Sequence, residues 1–305
     1  MSKTAFLFPG QGSQFPGMGR SLAESHAEAR EAFEAADSAL GFALSSLCFD
    51  GPEEELKRTE ITQPALLTVS VAAYRVLAAR GVPFDYVAGH SLGEYSALVA
   101  AGSLDFVDAV RLVRQRGQFM QEAVPQGVGA MAALLKLPNG ALDAVLAEAA
   151  KGEVVSAANF NSADQVVIAG HAGAVGRAME LAKAAGARRA VLLPVSAPFH
   201  CPLMRPAQER MRELLDACEF QDLAVPLVNN FAAWEIRTGA EAREGLVQQI
   251  PRSVLWTQTV RYLVEQGVSR FVEVGPGGVL TGLLRNLDGI ARVKFGEASE
   301  LAGVV

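Results

Sequence analysis

The chain has 305 residues, of which 50% are hydrophobic, 20% charged and 7% aromatic. This composition predicts a globular protein with a sizeable core, and it excludes a disordered chain, a collagen and a coiled coil. The net charge is -6 and no basic run is present, so nucleic-acid partners are not expected. Uninterrupted apolar stretches stay well below the roughly 20 residues that cross a bilayer. A loop at Pro9-Gly10 interrupts the start before a signal-peptide core can form, which predicts a cytoplasmic protein with no membrane association.

Cysteines and histidines give no sign of a disulfide framework or a metal site. The three cysteines are odd in number and widely spaced, which is typical of reduced cytosolic thiols. The four histidines lie apart from one another and form no metal-binding motif. These residues are Cys48, Cys201, Cys218, His26, His90, His171 and His200. We therefore expect no metal.

Short apolar runs alternate with helical patterns in the first part of the chain, as in an α/β layer protein. The predicted elements are a strand at Phe6–Phe8, a helix over about 21–40 opened by a capping box at Ser21–Glu24, a helix from Pro64 to Arg80, a strand at Tyr86–Ala88, and helices over Leu92–Ala101 and Asp105–Glu122. The larger part of the chain is thus expected to be a layered α/β unit.

The pattern changes between Pro125 and Pro198. Strands are predicted at 128–136, 154–160, 165–169 and 190–195, with helices at 139–150 and 172–185. The resulting β-α-β-β-α-β order is ferredoxin-like and predicts a small inserted subdomain at 126–197 within a larger one formed by 1–125 and 198–305. The elements predicted after it are a helix at 203–217, a strand at 225–229, helices at 240–249 and 256–266, and a strand at 270–274 that leads through glycines into a last helix.

One motif predicts a catalytic nucleophile. Gly89-His90-Ser91-Leu92-Gly93 matches G-x-S-x-G and lies between a predicted strand and a predicted helix, as a nucleophile elbow requires. In such an elbow the hydroxyl of Ser91 stands clear of the sheet, and the amide of Leu92 points toward a developing oxyanion at the helix N-terminus. A turn of small residues without catalytic function fits the same pattern.

A serine nucleophile needs a base, and His200 is the best candidate. It lies in a loop restricted by Pro198 and Pro202, although a loop histidine of no catalytic role is equally compatible with the residues alone. His90 adjoins the serine but would point away from its hydroxyl, so we expect a structural role for it. No acidic residue stands out as the partner that orients the imidazole, and a backbone carbonyl or an amide could do so instead.

Two further polar residues fall where a ligand could reach them. Gln11 directly follows the first strand, so in a parallel sheet it shares the ligand-bearing edge with Ser91 and could help form an oxyanion hole. An ordinary turn is the alternative for Gln11. Arg116 shares a helix face with apolar residues, and a guanidinium there needs an anionic partner, either a ligand or a structural carboxylate.

Several ordered motifs together resemble the malonyl-CoA:acyl carrier protein transacylases of fatty acid synthesis and, more broadly, the acyltransferase domains of polyketide synthases. The resemblance spans nearly the entire chain. It rests on Phe8-Pro9-Gly10-Gln11-Gly12-Ser13-Gln14, Gly89-His90-Ser91-Leu92-Gly93-Glu94, Gln115-Arg116-Gly117, Asn159-Phe160-Asn161-Ser162, Gln165-Val166-Val167-Ile168-Ala169-Gly170, His200 and Glu273-Val274-Gly275-Pro276-Gly277.

The resemblance implies an α/β-hydrolase-like large subdomain with a parallel sheet and an inserted ferredoxin-like small subdomain. It also implies a role for each site residue. By this resemblance Ser91 is the acyl nucleophile, His200 the general acid/base, Gln11 and the Leu92 amide the oxyanion hole, Arg116 the partner of the substrate carboxylate, Asn159 a lining residue of the cleft, and the Gln249 backbone carbonyl the group that orients His200. Beside His200, the ring of Phe199 is expected to crowd a branch at the malonyl α-carbon, which favours malonyl over methylmalonyl.

The implied activity is malonyl transfer from coenzyme A to the phosphopantetheine thiol of acyl carrier protein, through an acyl-serine and without a cofactor. Two alternatives remain at this point: a serine hydrolase that uses the same elbow, and a catalytically silent scaffold domain. The carrier is an acidic helical protein in this family, so Lys136, Lys183, Arg188 and Arg189 form a candidate docking surface. An ordinary solvated face explains these four residues as well.

Overall fold

The computed structural model describes residues 2–305. The strands are β1 (Lys3–Phe8), β2 (Tyr86–Gly89), β3 (Gly129–Leu135), β4 (Val155–Ser162), β5 (Gln165–His171), β6 (Arg189–Leu192), β7 (Leu227–Val228), β8 (Glu235–Ile236), β9 (Val268–Val274) and β10 (Ala291–Phe295). The helices are α1 (Arg20–Ser25), α2 (Ala27–Leu40), α3 (Leu44–Asp50), α4 (Glu53–Leu56), α5 (Thr59–Ala79), α6 (Gly93–Ala100), α7 (Phe106–Glu122), α8 (Ala141–Ala150), α9 (Ala172–Ala184), α10 (Arg205–Asp216), α11 (Gly239–Gln249), α12 (Trp256–Glu265) and α13 (Val279–Leu283), with 3-10 turns at Pro202–Met204 and Ala298–Gly303.

The larger of two sheets has six strands in the order β10-β9-β1-β2-β7-β8. All neighbours in it are parallel except β7 and β8. Successive side chains of a strand point to opposite faces, and in β1 both faces are apolar: Phe6 and Phe8 enter one core cluster, while Ala5 and Leu7 enter another. The sheet is therefore covered by helices on both sides, and the loops after β1 and β2 emerge next to each other at its carboxyl edge.

The smaller sheet is antiparallel, with the order β4-β5-β3-β6. Its elements succeed one another as β-α-β-β-α-β, the order predicted from the sequence. One face packs on α8 and α9 through a cluster that includes Leu134, Ile168 and Val175. On the other face, Met131 and Val167 belong to the main core cluster of the larger unit. One face of the antiparallel sheet thus packs on its own helices, and the other packs against the larger unit.

The helix predicted over 21–40 is two helices, α1 and α2, separated at His26, whose backbone is extended (φ -135°, ψ 124°). The predicted capping box at Ser21–Glu24 is wrong. Residue Gly19 precedes α1 without a side-chain cap, and the Ser21 hydroxyl instead donates to Glu297 and accepts from the Ala298 N–H. The Ser21 hydroxyl thus bonds a residue 276 positions away in the chain and does not cap its own helix.

Helix α5 begins at Thr59, five residues before the start predicted at Pro64. The proline therefore lies inside the helix, where it cannot donate to the carbonyl of Glu60 four residues earlier. That carbonyl accepts a hydrogen bond from Arg114 Nη1 at 2.7 Å. A side chain from α7 thus replaces the missing backbone donor, which no local pattern could reveal.

Helix α5 is also apolar and long enough, at 21 residues, to cross a bilayer by composition alone. However, 83% of its most apolar window is buried inside the protein. It packs against α2 and α7 as the central helix of the larger unit. Helix α5 therefore has the burial of a core helix.

Candidate active site

The turn between β2 and α6 carries Ser91 in a left-handed backbone conformation (φ 53°). Two glycines make this turn possible, because a Cβ on Gly89 would lie 1.9 Å from the Gly93 backbone, and a Cβ on Gly93 would lie 2.0 Å from the Phe8 carbonyl oxygen. The helix start is thereby pressed against the end of β1. Such a strained strand-to-helix turn presents a serine hydroxyl at the edge of the sheet.

The structure brings His200 to this hydroxyl. His200 Nε2 lies 2.7 Å from Ser91 Oγ, and His200 Nδ1 lies 3.0 Å from the backbone carbonyl oxygen of Gln249, at the end of α11. A carbonyl can only accept, so Nδ1 carries the proton and Nε2 is free to accept the serine proton. Burial, followed by the nearby Arg116 charge, lowers the pKa of His200 to about 3. The imidazole is therefore neutral and available as a base.

The side chain of an asparagine that was not predicted from the sequence holds the backbone of the elbow. Asn230, two residues beyond β7, accepts from the Ser91 N–H through Oδ1 at 2.6 Å and donates to the Gly89 carbonyl through Nδ2 at 2.6 Å. The side chain thus holds both ends of the strained turn. Its position just after a parallel strand, at the same edge as the serine, was the signal that could have identified it.

Arg116, on α7, is 1% exposed and points at the same serine. Its Nη2 donates to Ser91 Oγ at 3.1 Å and to Gln249 Oε1 at 2.9 Å, and its Nη1 donates to Gln63 Oε1 at 2.8 Å. Within residues 2–305, no carboxylate oxygen lies within the 4.0 Å that defines an ion pair with this guanidinium. The structural ion pair considered from the sequence is thus absent from this part of the chain. A buried guanidinium whose acceptors are all neutral can accommodate an anionic ligand.

The side chain of Gln249 connects Arg116 to a buried acid. Gln249 Nε2 donates to Glu94 Oε2 at 2.9 Å and to the Ser91 carbonyl oxygen at 3.2 Å. Glu94 is fully buried, and burial raises its pKa to about 7 despite hydrogen bonds from Asn230 and Gln249 and the charge of Arg116. Sequence reasoning had given a role only to the carbonyl of Gln249, and it had treated Glu94 only as part of a motif.

A cavity of about 200 Å³ has Ser91 in its lining. Its polar lining includes Gln11, Asn159 and His200, and its apolar lining includes Phe199. The further lining residues are Gly10, Ser13, Gln63, His90, Arg116, Met120, Met131, Asn161, Gln165, Val167, Leu193, Val195, Val279, Leu280 and Leu283. Strands β3, β4 and β5 of the small sheet and the loops after β1 and β2 contribute to these walls, so both parts of the fold form the cavity around the serine.

Three further residues considered from the sequence, Leu92, Gln11 and His90, differ in their contacts. The side chain of Leu92 is buried in the core, and its backbone amide is at the first turn of α6, where N–H groups lack helical partners. Gln11 Nε2 donates to Thr59 Oγ1 at a long 3.5 Å. His90 points away from the hydroxyl, as expected: its Nε2 is 2.9 Å from Asn161 Oδ1 and its ring packs near Trp256.

Possible metal ligands are scattered. Among residues 2–305, no group of three or more His, Cys, Asp or Glu side chains could hold a metal ion. The cysteines are free thiols, and two of them, Cys48 and Cys201, are buried. Burial raises the pKa of the Cys201 thiol to about 11, which keeps it protonated next to His200.

Residues 5–303 match the acyl transferase domain family. The chain belongs to this family. As an acyl transferase domain it is 50% identical over 307 residues to the malonyl CoA-acyl carrier protein transacylase of Escherichia coli strain K12, with 100% of this chain and 99% of that protein covered. It is 49% identical to the protein of the same name from Bacillus subtilis strain 168, with 94% and 91% covered.

Solved structures agree with this family. An acyl carrier protein S-malonyltransferase from Vibrio cholerae superposes with a TM-score of 0.97 at 46% identity, over 100% of both chains. A malonyl-transacylase solved in complex with a type II PKS acyl-carrier protein has a TM-score of 0.97 at 46% identity, over 99% of both chains. The mixed α/β architecture with one parallel and one antiparallel sheet is therefore that of these acyltransferases.

Proposed function

We propose that this acyl transferase moves a malonyl group from coenzyme A to the phosphopantetheine thiol of acyl carrier protein, for fatty acid biosynthesis. The observation that carries the proposal is the position of Ser91 Oγ, 2.7 Å from the base His200 and 3.1 Å from the cation Arg116. A nucleophile between a neutral imidazole and a guanidinium fits an acyl group that ends in a carboxylate. The names of the relatives support the same substrate and partner.

The first half-reaction acylates Ser91. His200 Nε2 takes the hydroxyl proton while Ser91 Oγ attacks the thioester carbonyl, and the tetrahedral intermediate collapses as the coenzyme A thiolate leaves with the proton from His200. The backbone amide of Leu92 and the side chain of Gln11 stabilise the oxyanion in this proposal. Arg116 pairs with the malonyl carboxylate, and its hydrogen bond to Ser91 Oγ is given up when that oxygen becomes an ester.

The second half-reaction reverses these steps with a new thiol. His200 removes the proton of the phosphopantetheine thiol, the sulfur attacks the malonyl ester, and Ser91 leaves with the proton. Asn159 and Phe199 line the space beside the acyl group, where the Phe199 ring disfavours a branched α-carbon. The cycle needs no cofactor, because both halves exchange a thioester with an oxyester.

The proposal also includes a division of the chain into two subdomains. Residues 1–125 and 198–305 form an α/β-hydrolase-like catalytic subdomain, and residues 126–197 form a ferredoxin-like insertion. Support comes from the parallel order around β1 and from the strand order β4-β5-β3-β6 of the small sheet. A cytoplasmic location is part of the same proposal.

The test is acylation of Ser91 by malonyl-CoA, followed by intact-mass measurement. Wild-type protein should gain one malonyl group and keep it in water until holo acyl carrier protein is added, whereas Ser91→Ala should gain none and remain folded. Turnover without the carrier would support a serine hydrolase, and no mass increment on wild type would support a silent scaffold. A Ser91→Ala protein malonylated at the wild-type rate would remove Ser91 from the mechanism.

A further inference from the structure

The buried carboxyl of Glu94 makes its hydrogen bonds through a single oxygen. Oε2 accepts from the backbone N–H of Asn230 and from the side-chain amide of Gln249, each at 2.9 Å. The second oxygen, Oε1, is buried without a hydrogen-bond partner and faces Gly245 of α11. Glu94 is therefore attached to the site through two residues that contact the nucleophile and the cation, and not through the reacting groups themselves.

The side-chain amide of Gln249 lies between two groups of opposite hydrogen-bonding character. A guanidinium only donates, so Arg116 requires the oxygen end of the amide. Oε2 of Glu94 accepts from the Asn230 N–H and is therefore an acceptor that requires the NH2 end. The observed contacts satisfy both, with Oε1 on Arg116 and Nε2 on Glu94 and the Ser91 carbonyl. If the amide flipped, N–H groups would face the guanidinium and a lone pair would face the carboxylate, leaving buried polar groups unpaired.

We infer that Glu94 is the positioning residue of the acyl-carboxylate site: by fixing the orientation of the Gln249 amide, it holds Arg116 where it meets the carboxylate of the acyl group. The inference rests on the proposed function. Arg116 has three neutral acceptors, and the oxygen of Gln249 is one of two that come from side-chain amides. Glu94 therefore acts on substrate choice through Gln249, without touching the substrate.

Substitutions at position 94 separate this role from a general structural one. Glu94→Gln keeps an acceptor oxygen for both donors, because both converge on Oε2. Glu94→Leu removes the acceptor. Loss of the bond to Asn230 would slow acylation by every acyl-CoA, so the readout is the ratio of Ser91 acylation rates with malonyl-CoA and acetyl-CoA. We expect that ratio to fall about tenfold or more in Glu94→Leu and to stay within about threefold of wild type in Glu94→Gln.

Gln249→Met supplies a second route to the same result if Glu94→Leu does not fold. Methionine keeps the length of the side chain and the backbone carbonyl on His200 while removing the amide, so the ratio should fall about tenfold here as well. In the double variant Glu94→Leu/Gln249→Met, the ratio of malonyl to acetyl acylation rates should equal that of Gln249→Met alone, because Glu94 acts through Gln249. Circular dichroism and thermal melting establish that each protein is folded.

Three results would overturn the inference. One is a folded Glu94→Leu protein with an unchanged ratio, the second is an unchanged ratio in Gln249→Met, and the third is a double variant whose losses multiply. A wild-type protein that accepts no malonyl group would overturn the proposed function, and this inference with it. Malonylated wild type with unchanged ratios in the variants would overturn only the inference about Glu94.

Discussion

The guanidinium of Arg116 donates to the hydroxyl oxygen of Ser91 at 3.1 Å, so the cation proposed for the acyl carboxylate is in contact with the nucleophile before any substrate binds. One side chain thus contacts the attacking atom and, in the proposed mechanism, the far end of a three-carbon acyl group. In that mechanism the contact with Ser91 is given up on acylation, and Nη2 keeps Gln249 Oε1 as its acceptor beside the acyl carboxylate.

Arg116→Ala should reduce Ser91 acylation by malonyl-CoA on the order of 10³-fold. The substitution removes the cation that pairs with the malonyl carboxylate, which leaves that charge without a partner in a buried site. Acylation by acetyl-CoA should be retained or rise, since acetyl offers nothing to the arginine. Arg114→Ala is the matched control: Arg114 bonds the Glu60 carbonyl on another helix face, so its loss should lower stability and leave selectivity unchanged. Rapid quenching with intact mass measures both rates. Equal loss of malonyl and acetyl transfer in Arg116→Ala would make the arginine structural.

The acylation rate should show no loss of base on mild acidification. Burial and the Arg116 charge lower the pKa of His200 to about 3, so the imidazole that must accept the Ser91 proton stays neutral from pH 7 down to pH 5. The first half-reaction of the Glu94→Gln protein should therefore be flat across that range. Burial raises the pKa of Glu94 to about 7, so a pH dependence seen only in wild type belongs to Glu94 and not to His200. A fall with a midpoint near 6.5 in both proteins would contradict the assignment.

Gly89→Ala should cost at least about 3 kcal/mol of unfolding free energy, because the new Cβ would lie 1.9 Å from the Gly93 backbone and neither strand nor helix can move away cheaply. Gly176→Ala is the control. Gly176 lies in α9 with open space where its Cβ would be, so alanine there should stabilise by up to about 1 kcal/mol. Urea denaturation of the two variants measures the difference. Similar stabilities would show that the elbow is not sterically constrained.

In the structure, three of the four basic residues predicted as a carrier-docking surface line the same groove. Lys136, Arg188 and Arg189 line one groove together with Arg285, and Gln165 and Leu283 line both this groove and the catalytic cavity. Lys183 does not line it and instead pairs with Glu180 at 2.9 Å.

Charge reversal of Arg189 to Glu should therefore raise the Michaelis constant for acyl carrier protein several-fold and leave acylation by malonyl-CoA unchanged. Lys183→Glu carries the same change in charge outside the groove and should have the smaller effect. Steady-state transfer at varied carrier concentration compares them. If the two variants behave alike, the carrier docks elsewhere.

The residues of the proposed site that the sequence could indicate are those marked by local context or by strand order. Ser91 is marked by its strand-turn-helix setting, and Gln11 by the rule that parallel strands bring their carboxyl ends to one edge. The strand rule marks the edge on which Asn230 lies, but the contacts of its amide and of the Gln249 side chain could not be predicted, because their partners are at least 130 residues away. Long-range contacts also explain the local errors, since Ser21 serves Glu297 and not its own helix.

The antiparallel sheet is joined to the larger unit by main-chain pairing at Val254. Its N–H donates to the Ala158 carbonyl at 2.8 Å, and its carbonyl accepts from the Phe160 N–H at 2.9 Å. This pairing fixes the register of β4 against the larger unit, so one wall of the cavity cannot slide past the other without breaking both hydrogen bonds.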